Sequence, residues 1–286
     1  MTHFQEARAQ EIDYHEKLYR ETPLFEPGTW LAKPVSAVME LLRQFEPSER
    51  VDVLDLGCGI GRNSIPMAQL LQRQAGGSIV CVDLLPLAIE RLEKYAEQYE
   101  VGDMIRTAAA DVEHYEIDRH AFDYIVVCSC LEHVSTLAAF EAVVKRMMQG
   151  TRAGGTNALL INTEVTEYDL ESGMEHPGMI ELHLRTDETV LLLRELYADW
   201  DIVIERWMPQ SIVEHKNGRA IEFKGRWLTF AARKRNEDRE QSRHAEAIER
   251  LGGSARAAQT EIERVIFRAG AVSSQSSGRF FGCGSY

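Results

Sequence analysis

From Val51 onward the chain alternates between two apolar patterns. Short runs rich in β-branched residues, "VDVLDLG" (51–57), "SIVCVDLL" (78–85), "MIRTAAADV" (104–112), "FDYIVVCSC" (122–130) and "TNALLINTEV" (156–165), are separated by stretches whose apolar residues recur at helical spacing, at 64–73, 87–99, 137–148 and 188–197. This alternation predicts an α/β fold, a doubly wound, mostly parallel sheet with helices on both faces. Two further strand-like runs, 201–208 and 226–234, follow without a long helix between them and predict an antiparallel pair at the sheet edge, bringing the sheet to seven strands. Between them Asn217-Gly218 is a tight-turn signal, marking a small hairpin or loop.

The flanks read differently. Residues 1–50 are helical in pattern, with Val38, Leu41, Leu42 and Phe45 on one face, and are interrupted by Pro23, Pro27 and Pro34. They are expected to form a helical lid on a domain spanning 51–234. After it, 235–286 reads as a charged helical extension, "NEDREQSRHAEAIERL", and a flexible tail in which Phe280, Phe281 and Cys283 stand out.

Charge narrows the ligands. Lys and Arg number 32 against 45 Asp and Glu, and the net charge of -13 repels a phosphate backbone, so nucleic acid is not the expected partner. The N-terminal "MTHFQEARAQEIDYHEKLYRE" has no apolar core of a signal peptide, and no stretch is long enough to span a bilayer, so a soluble, cytoplasmic protein without membrane contact is expected. Cys58, Cys81, Cys128, Cys130 and Cys283 show no paired C-x-x-C spacing and read as reduced thiols, with no metal site expected. Whether the chain forms a homodimer is left open.

The first strand stops at Asp55 and passes through Gly57, Gly59 and Gly61 before a helical pattern resumes. Bare glycines let the chain turn sharply and bring a ligand against backbone N–H groups at a helix start. The spacing is G-x-G-x-G rather than the dinucleotide G-x-G-x-x-G, and the preceding carboxylate favours a cationic ligand over a pyrophosphate. Asp83 ends the second strand, where a carboxylate accepts hydrogen bonds from ribose hydroxyls, and Asp111 follows the third, where it either meets a base amino group or caps the next turn.

This set resembles the class I S-adenosylmethionine-dependent methyltransferases: "LDLGCGIGRNS" is similar to their first motif, "IVCVDLL" to the second, "AAADV" to the third and "FDYIVVCSCLEHV" to the fourth. Within them, "GCGIGRNS", "RAGGTNALLINTEV" and "ELHLRTDETVLLLRELYADWDIV" look most like the tellurite-resistance methyltransferases of the TehB type. The resemblance implies a Rossmann-like methyltransferase fold, S-adenosyl-L-methionine as cofactor, and methyl transfer to a small-molecule nucleophile such as a chalcogen oxyanion or thiol. It places Asp55, Gly57, Gly59 and Gly61 around the methionine part, with Cys58 and Asn63 beside them, Asp83 and Leu84 at the ribose, and Asp111 with Val112 at the adenine. Asn63 also reads as a helix cap, Cys128 as cofactor lining or a small core residue, and Tyr14 as a cofactor cover or ordinary helix packing.

The polar segment 164–185 after the fifth strand is expected to form a substrate loop. Its candidates are His183, as a base, and Arg185, as an oxyanion holder; His176 reads equally well as a solvated residue. His133 in "CLEHV" is either structural or next to the acceptor. A methyltransferase for a metabolite hydroxyl or amine, and a nonenzymatic cofactor-binding protein with a partner-binding C-terminus, are the alternatives.

Overall fold

A computed structural model describes residues 2–178, 180–216 and 219–236. The charged extension and tail, with Phe280, Phe281 and Cys283, lie outside the described residues. Helix α1, His3–Glu21, begins with a capping box in which Thr2 Oγ1 accepts the Gln5 N–H while Gln5 Oε1 accepts the Thr2 N–H. The prolines then break the helical path, and the chain reaches α2, Ser36–Leu42, through a 3-10 turn at Trp30–Ala32.

The strands and helices then alternate as β1 (Val51–Leu56), α3 (Ser64–Gln72), β2 (Gly77–Asp83), α4 (Pro86–Gln98), β3 (Ile105–Ala109), β4 (Phe122–Cys128), α5 (Leu137–Gly150) and β5 (Thr151–Asp169). After them come β6 (Glu175–Pro177), α6 (Thr186–Leu196), β7 (Trp200–Lys216) and β8 (Arg219–Lys234). The sheet order is β3-β2-β1-β4-β5-β8-β7, with β1 to β5 parallel and β8 antiparallel to both neighbours. This is the expected seven-stranded, mostly parallel sheet. The short β6 is an addition, pairing antiparallel with the end of β5.

Alternation along each inner strand feeds two cores. On β4, Tyr124, Val126 and Cys128 face the layer of α2, α3 and α4, whereas Ile125 and Val127 face α5 and α6. Burial on both faces explains why these strands read as nearly continuous apolar runs. Tyr124, fully buried, satisfies its hydroxyl by donating to the Val38 carbonyl at 3.1 Å. Among the described residues no helix is long and apolar enough to cross a membrane.

The antiparallel half departs from expectation. The runs at 201–208 and 226–234 extend into one hairpin of 17- and 16-residue strands, paired from Trp200↔Lys234 to Lys216↔Arg219. The segment between the two runs is therefore strand, because every residue up to the Asn217-Gly218 turn finds a ladder partner; the turn itself lies outside the described residues. Pro209 is accommodated because β7 is an edge strand, where a missing donor is tolerated. Likewise the polar residues 164–169, expected in a loop, continue β5 and pair with β8 past a register shift between Thr163 and Thr166, where Glu164 takes a φ of 54°.

Candidate functional site

A cleft of about 470 Å³ opens beyond the C-terminal ends of the parallel strands, where the order reverses between β1 and β4. Open α/β sheets bind ligands at this position. Its floor is the glycine turn after β1. Gly57 and Cys58 donate their backbone N–H groups to the Val82 carbonyl at 2.8 and 3.0 Å, stitching the turn to β2. Gly59, at φ 52°, donates its N–H to Asp83 Oδ2 at 2.8 Å.

Asp83 thus shapes the floor as well as lining it. Its Oδ1 accepts the Leu85 N–H at 2.9 Å, and burial raises its pKa while these two backbone donors pull it down. A carboxylate has about four acceptor sites, so two remain for ligand hydroxyls. With Leu84 beside it and Asp111 and Val112 beyond, one end of the cleft carries acceptors where a nucleoside would lie. Asp111 also accepts the Glu113 N–H at 2.9 Å, capping the turn that follows, and pairs with Arg8 of α1 at 3.2 Å.

Two sequence-derived floor residues serve the turn without lining the cleft. Asp55 is buried beneath it, accepting the Ser64 hydroxyl at 2.6 Å. Gly61 faces the helices: a Cβ there would sit 2.5 Å from Leu92 Cδ1, so the glycine lets α3 start against α4. Asn63 lines the cleft at the start of α3, makes no capping bond, and accepts the Val35 N–H at 3.0 Å.

Burial, with smaller contributions from the Ser64 hydroxyl (lowering) and Asp83 (raising), pushes Asp55 up to about 6 from an ordinary 3.8. The folded chain therefore holds this proton more tightly than the unfolded one. The resulting stabilisation is complete below about pH 3.8 and lost as pH rises through about 6, a difference of about 3 kcal/mol. Asp55→Asn keeps an oxygen for Ser64 and removes the ionisation, so its melting temperature is expected to exceed that of the wild type at pH 8 and converge with it near pH 4. Parallel pH profiles in thermal melts would show that Asp55 carries no such charge.

Helix α1 roofs the cleft with side chains at helical spacing: Arg8, Glu11, Ile12, His15 and Tyr19, with Tyr14 beside them. Trp30 joins them, and Arg62, donating to the Lys33 carbonyl, stacks over its ring at 5.4 Å. Tyr19 lies so close to the turn that a Cβ on Gly59 would approach its hydroxyl to 2.8 Å.

The far wall starts where β4 ends. Cys128 lines the cleft as a buried thiol, pushed up to about 12 by burial, so it is present as the neutral SH. Ser129 follows at φ 50°, a strained conformation for a non-glycine residue. Its hydroxyl donates to Glu132 Oε1 (3.2 Å) and accepts from Asn162 Nδ2 (2.9 Å), which also donates to Glu132 (2.7 Å). Beside this network His133 Nδ1 lies 2.7 Å from the buried Glu181. Burial alone would lower the His133 imidazole, but that hydrogen bond and the charges of Glu132, Glu181 and Glu11 overcome it and raise its pKa to about 9. The rest of the wall is mostly apolar, with Val165, Ile180, Met208, Ile212, Phe223 and Trp227 set beside the polar Glu167 and Gln210.

The sequence-derived catalytic candidates separate. His133 lines the cleft. His183 and Arg185 do not: both are exposed, His183 stacked on His3 with ring centroids 5.6 Å apart and Arg185 paired with Glu188 at 3.1 Å. Ile180, Glu181 and Leu184 turn inward instead, so the histidine and arginine of this stretch fall on the solvent side. His176 lies on β6, its backbone paired with Glu167. Residues that sequence reasoning missed, Arg8, Glu11, His15, Asn162 and Glu181, come from distant elements. For α1 alone a signal existed, polar residues repeating with a helical period on one face.

A family model described as a methyltransferase domain matches residues 53–155. The chain is 31% identical over 103 residues to a ubiquinone biosynthesis O-methyltransferase of Bartonella quintana, covering 36% of this chain and 39% of that protein. It is 25% identical over 132 residues to a sterol 24-C-methyltransferase of Debaryomyces hansenii, covering 46% and 33% respectively. The chain thus spans between a third and two fifths of the length of the curated relatives it matches. Its fold is similar to the crystal structure of TehB from Haemophilus influenzae, with a TM-score of 0.53 and 23% identity over 79% of this chain and 67% of that one. Residues 53–155 thus carry a match to a methyltransferase domain, and the fold around them is similar to that of solved methyltransferases.

Proposed function

We propose that the chain transfers a methyl group from S-adenosylmethionine to a small molecule with an apolar body and a nucleophilic hydroxyl, thiol or amine. The observation that carries this reading is the continuity of one cleft, from the glycine turn and Asp83 at one end to Trp30, Met208, Ile212, Phe223 and Trp227 at the other. A bare chalcogen oxyanion would find little use for that wall. Arg8 is paired with Asp111 and Glu181, and Arg62 is committed to Lys33 and Trp30, so neither is set aside for an oxyanion.

The cofactor, when bound, supplies an electrophilic methyl carbon on a sulfonium. The chain's own residues bind and orient. Gly57 and Gly59 let the turn form the cleft floor in close contact with Cys130 and Tyr19, Asp83 accepts from ribose hydroxyls, and Asp111 with Val112 borders the base. Tyr14, Tyr19 and Trp30 cover the cleft, so residues 1–50 act as the lid of a domain spanning 51–234 and exclude water from it. The apolar wall holds the acceptor body, and in-line positioning lowers the barrier.

Incubating the full chain with methyl-labelled S-adenosylmethionine and a panel of phenols, aliphatic alcohols, thiols, amines, tellurite and selenite tests this. Label is expected in an apolar-bodied acceptor. Label in tellurite or selenite alone would overturn the acceptor class, and cofactor binding without transfer to any member would favour a binding protein.

A further inference from the structure

One turn of α1 places Glu11 and His15 on the same face, and the 3-10 turn Leu131–His133 brings a second imidazole up to them. Each of Glu11, His15 and His133 offers one ligand atom, and these atoms lie within 4.8 Å of one another. His15 Nε2 is 3.6 Å from Glu11 Oε2, and the His15 and His133 rings meet nearly edge-on, their centroids 6.4 Å apart. All three line the cleft.

The surroundings of His133 point the same way. Its Nδ1 is engaged by Glu181 at 2.7 Å, which leaves Nε2 as the donor atom. A buried carboxylate on the far nitrogen of an imidazole is the arrangement that orients metal-bound histidines. Glu181 is almost wholly buried, and its Oε1 has no hydrogen-bond partner, only Arg8 at 3.6 Å. Glu11 and Glu181 thus bring two carboxylates to the imidazoles of His15 and His133, with the Arg8 guanidinium 3.6 Å from Glu181. Two imidazoles and one carboxylate, open on one side, are the donor set of mononuclear divalent sites that keep positions for an exogenous ligand.

The geometry points to a divalent transition-metal site at Glu11, His15 and His133, of the zinc class, whose open positions face the acceptor half of the cleft and take an oxygen or sulfur donor. Ligand atoms up to 4.8 Å apart must close by about an ångström, within reach of side-chain rotation, to meet metal–ligand distances of about 2.0–2.2 Å. The site's role in transfer rests on the methyltransferase reading: there the ion would hold an acceptor hydroxyl or thiol as its anion, the proton leaving to water.

The full chain, stripped with a chelator and dialysed, is to be titrated with Zn²⁺ by calorimetry and with Co²⁺ by visible absorption, with elemental analysis for stoichiometry. One ion per chain is expected, with Co²⁺ bands of nitrogen and oxygen ligation and no thiolate charge transfer. His15→Gln and Glu11→Gln, verified as folded by thermal melts, are expected to weaken Zn²⁺ by at least about 100-fold, and Glu181→Gln by about 10- to 100-fold. Substoichiometric binding, thiolate bands, or unchanged affinity in folded His15→Gln and Glu11→Gln would overturn the site. Methyl transfer undiminished after stripping would overturn its role in transfer while leaving the methyltransferase reading intact.

Discussion

Gly59→Val is expected to abolish S-adenosylmethionine binding while leaving the helical circular dichroism largely in place. Gly59 sits at φ 52°, where a β-branched residue is strained, and even a single Cβ would stand 2.8 Å from the Tyr19 hydroxyl. Tyr19 is buried in the roof and cannot simply swing away, so either the turn shifts or α1 lifts. Either movement spoils the floor, because the Gly59 N–H is also what Asp83 holds in place. Gly59→Ala should fall between valine and wild type. Calorimetry returning wild-type affinity for a folded Gly59→Val would show that the turn is structural and the ligand lies elsewhere.

Asp83→Ala is expected to weaken cofactor binding by about 10- to 100-fold, the scale of losing a hydrogen bond to a charged group. Two effects add. The variant removes the carboxylate proposed to accept ribose hydroxyls, and it frees the Gly59 and Leu85 N–H groups it held at 2.8 and 2.9 Å. Asp83→Asn keeps the volume and one acceptor oxygen and should lose less. Unchanged affinity in a folded Asp83→Ala would take Asp83 out of the site.

The cofactor half was legible because it is local. Strand, glycine turn and helix follow within "VDVLDLGCGIGRNS", and Asp83 and Asp111 each close a strand that periodicity identifies. Spacing could not separate residues that face the cleft from those that build the turn, which is why Asp55 and Gly61, expected at the cofactor, are found beneath and behind the glycine turn. The half of the cleft proposed for the acceptor is assembled from α1, the turn after β4, the middle of β5, the stretch before α6 and the β7–β8 hairpin. Nothing in sequence spacing says that these five meet. His183 and Arg185 were chosen for their chemistry within a polar segment; in that segment it is Glu181, between Ile180 and Leu182, that turns inward. The hairpin was underestimated because its outer half is too polar to read as strand: there, pairing with a neighbour rather than burial holds it together.

Among the described residues, that hairpin leaves a long border of the sheet without a partner strand. Within the described residues β7 pairs only with β8, and its other side offers unpaired backbone groups over much of 17 residues, with Trp207, Met208 and Val213 among its exposed apolar side chains. Such a border is a template for self-association into extended ribbons. The sequence opposes this near the strand's middle, where Pro209 can supply no donor to an incoming chain and Arg226 lies over the Trp207 ring at 4.2 Å, laying charge across the most adhesive surface. Among the described residues, a proline and an arginine thus guard the flank that the sheet leaves open.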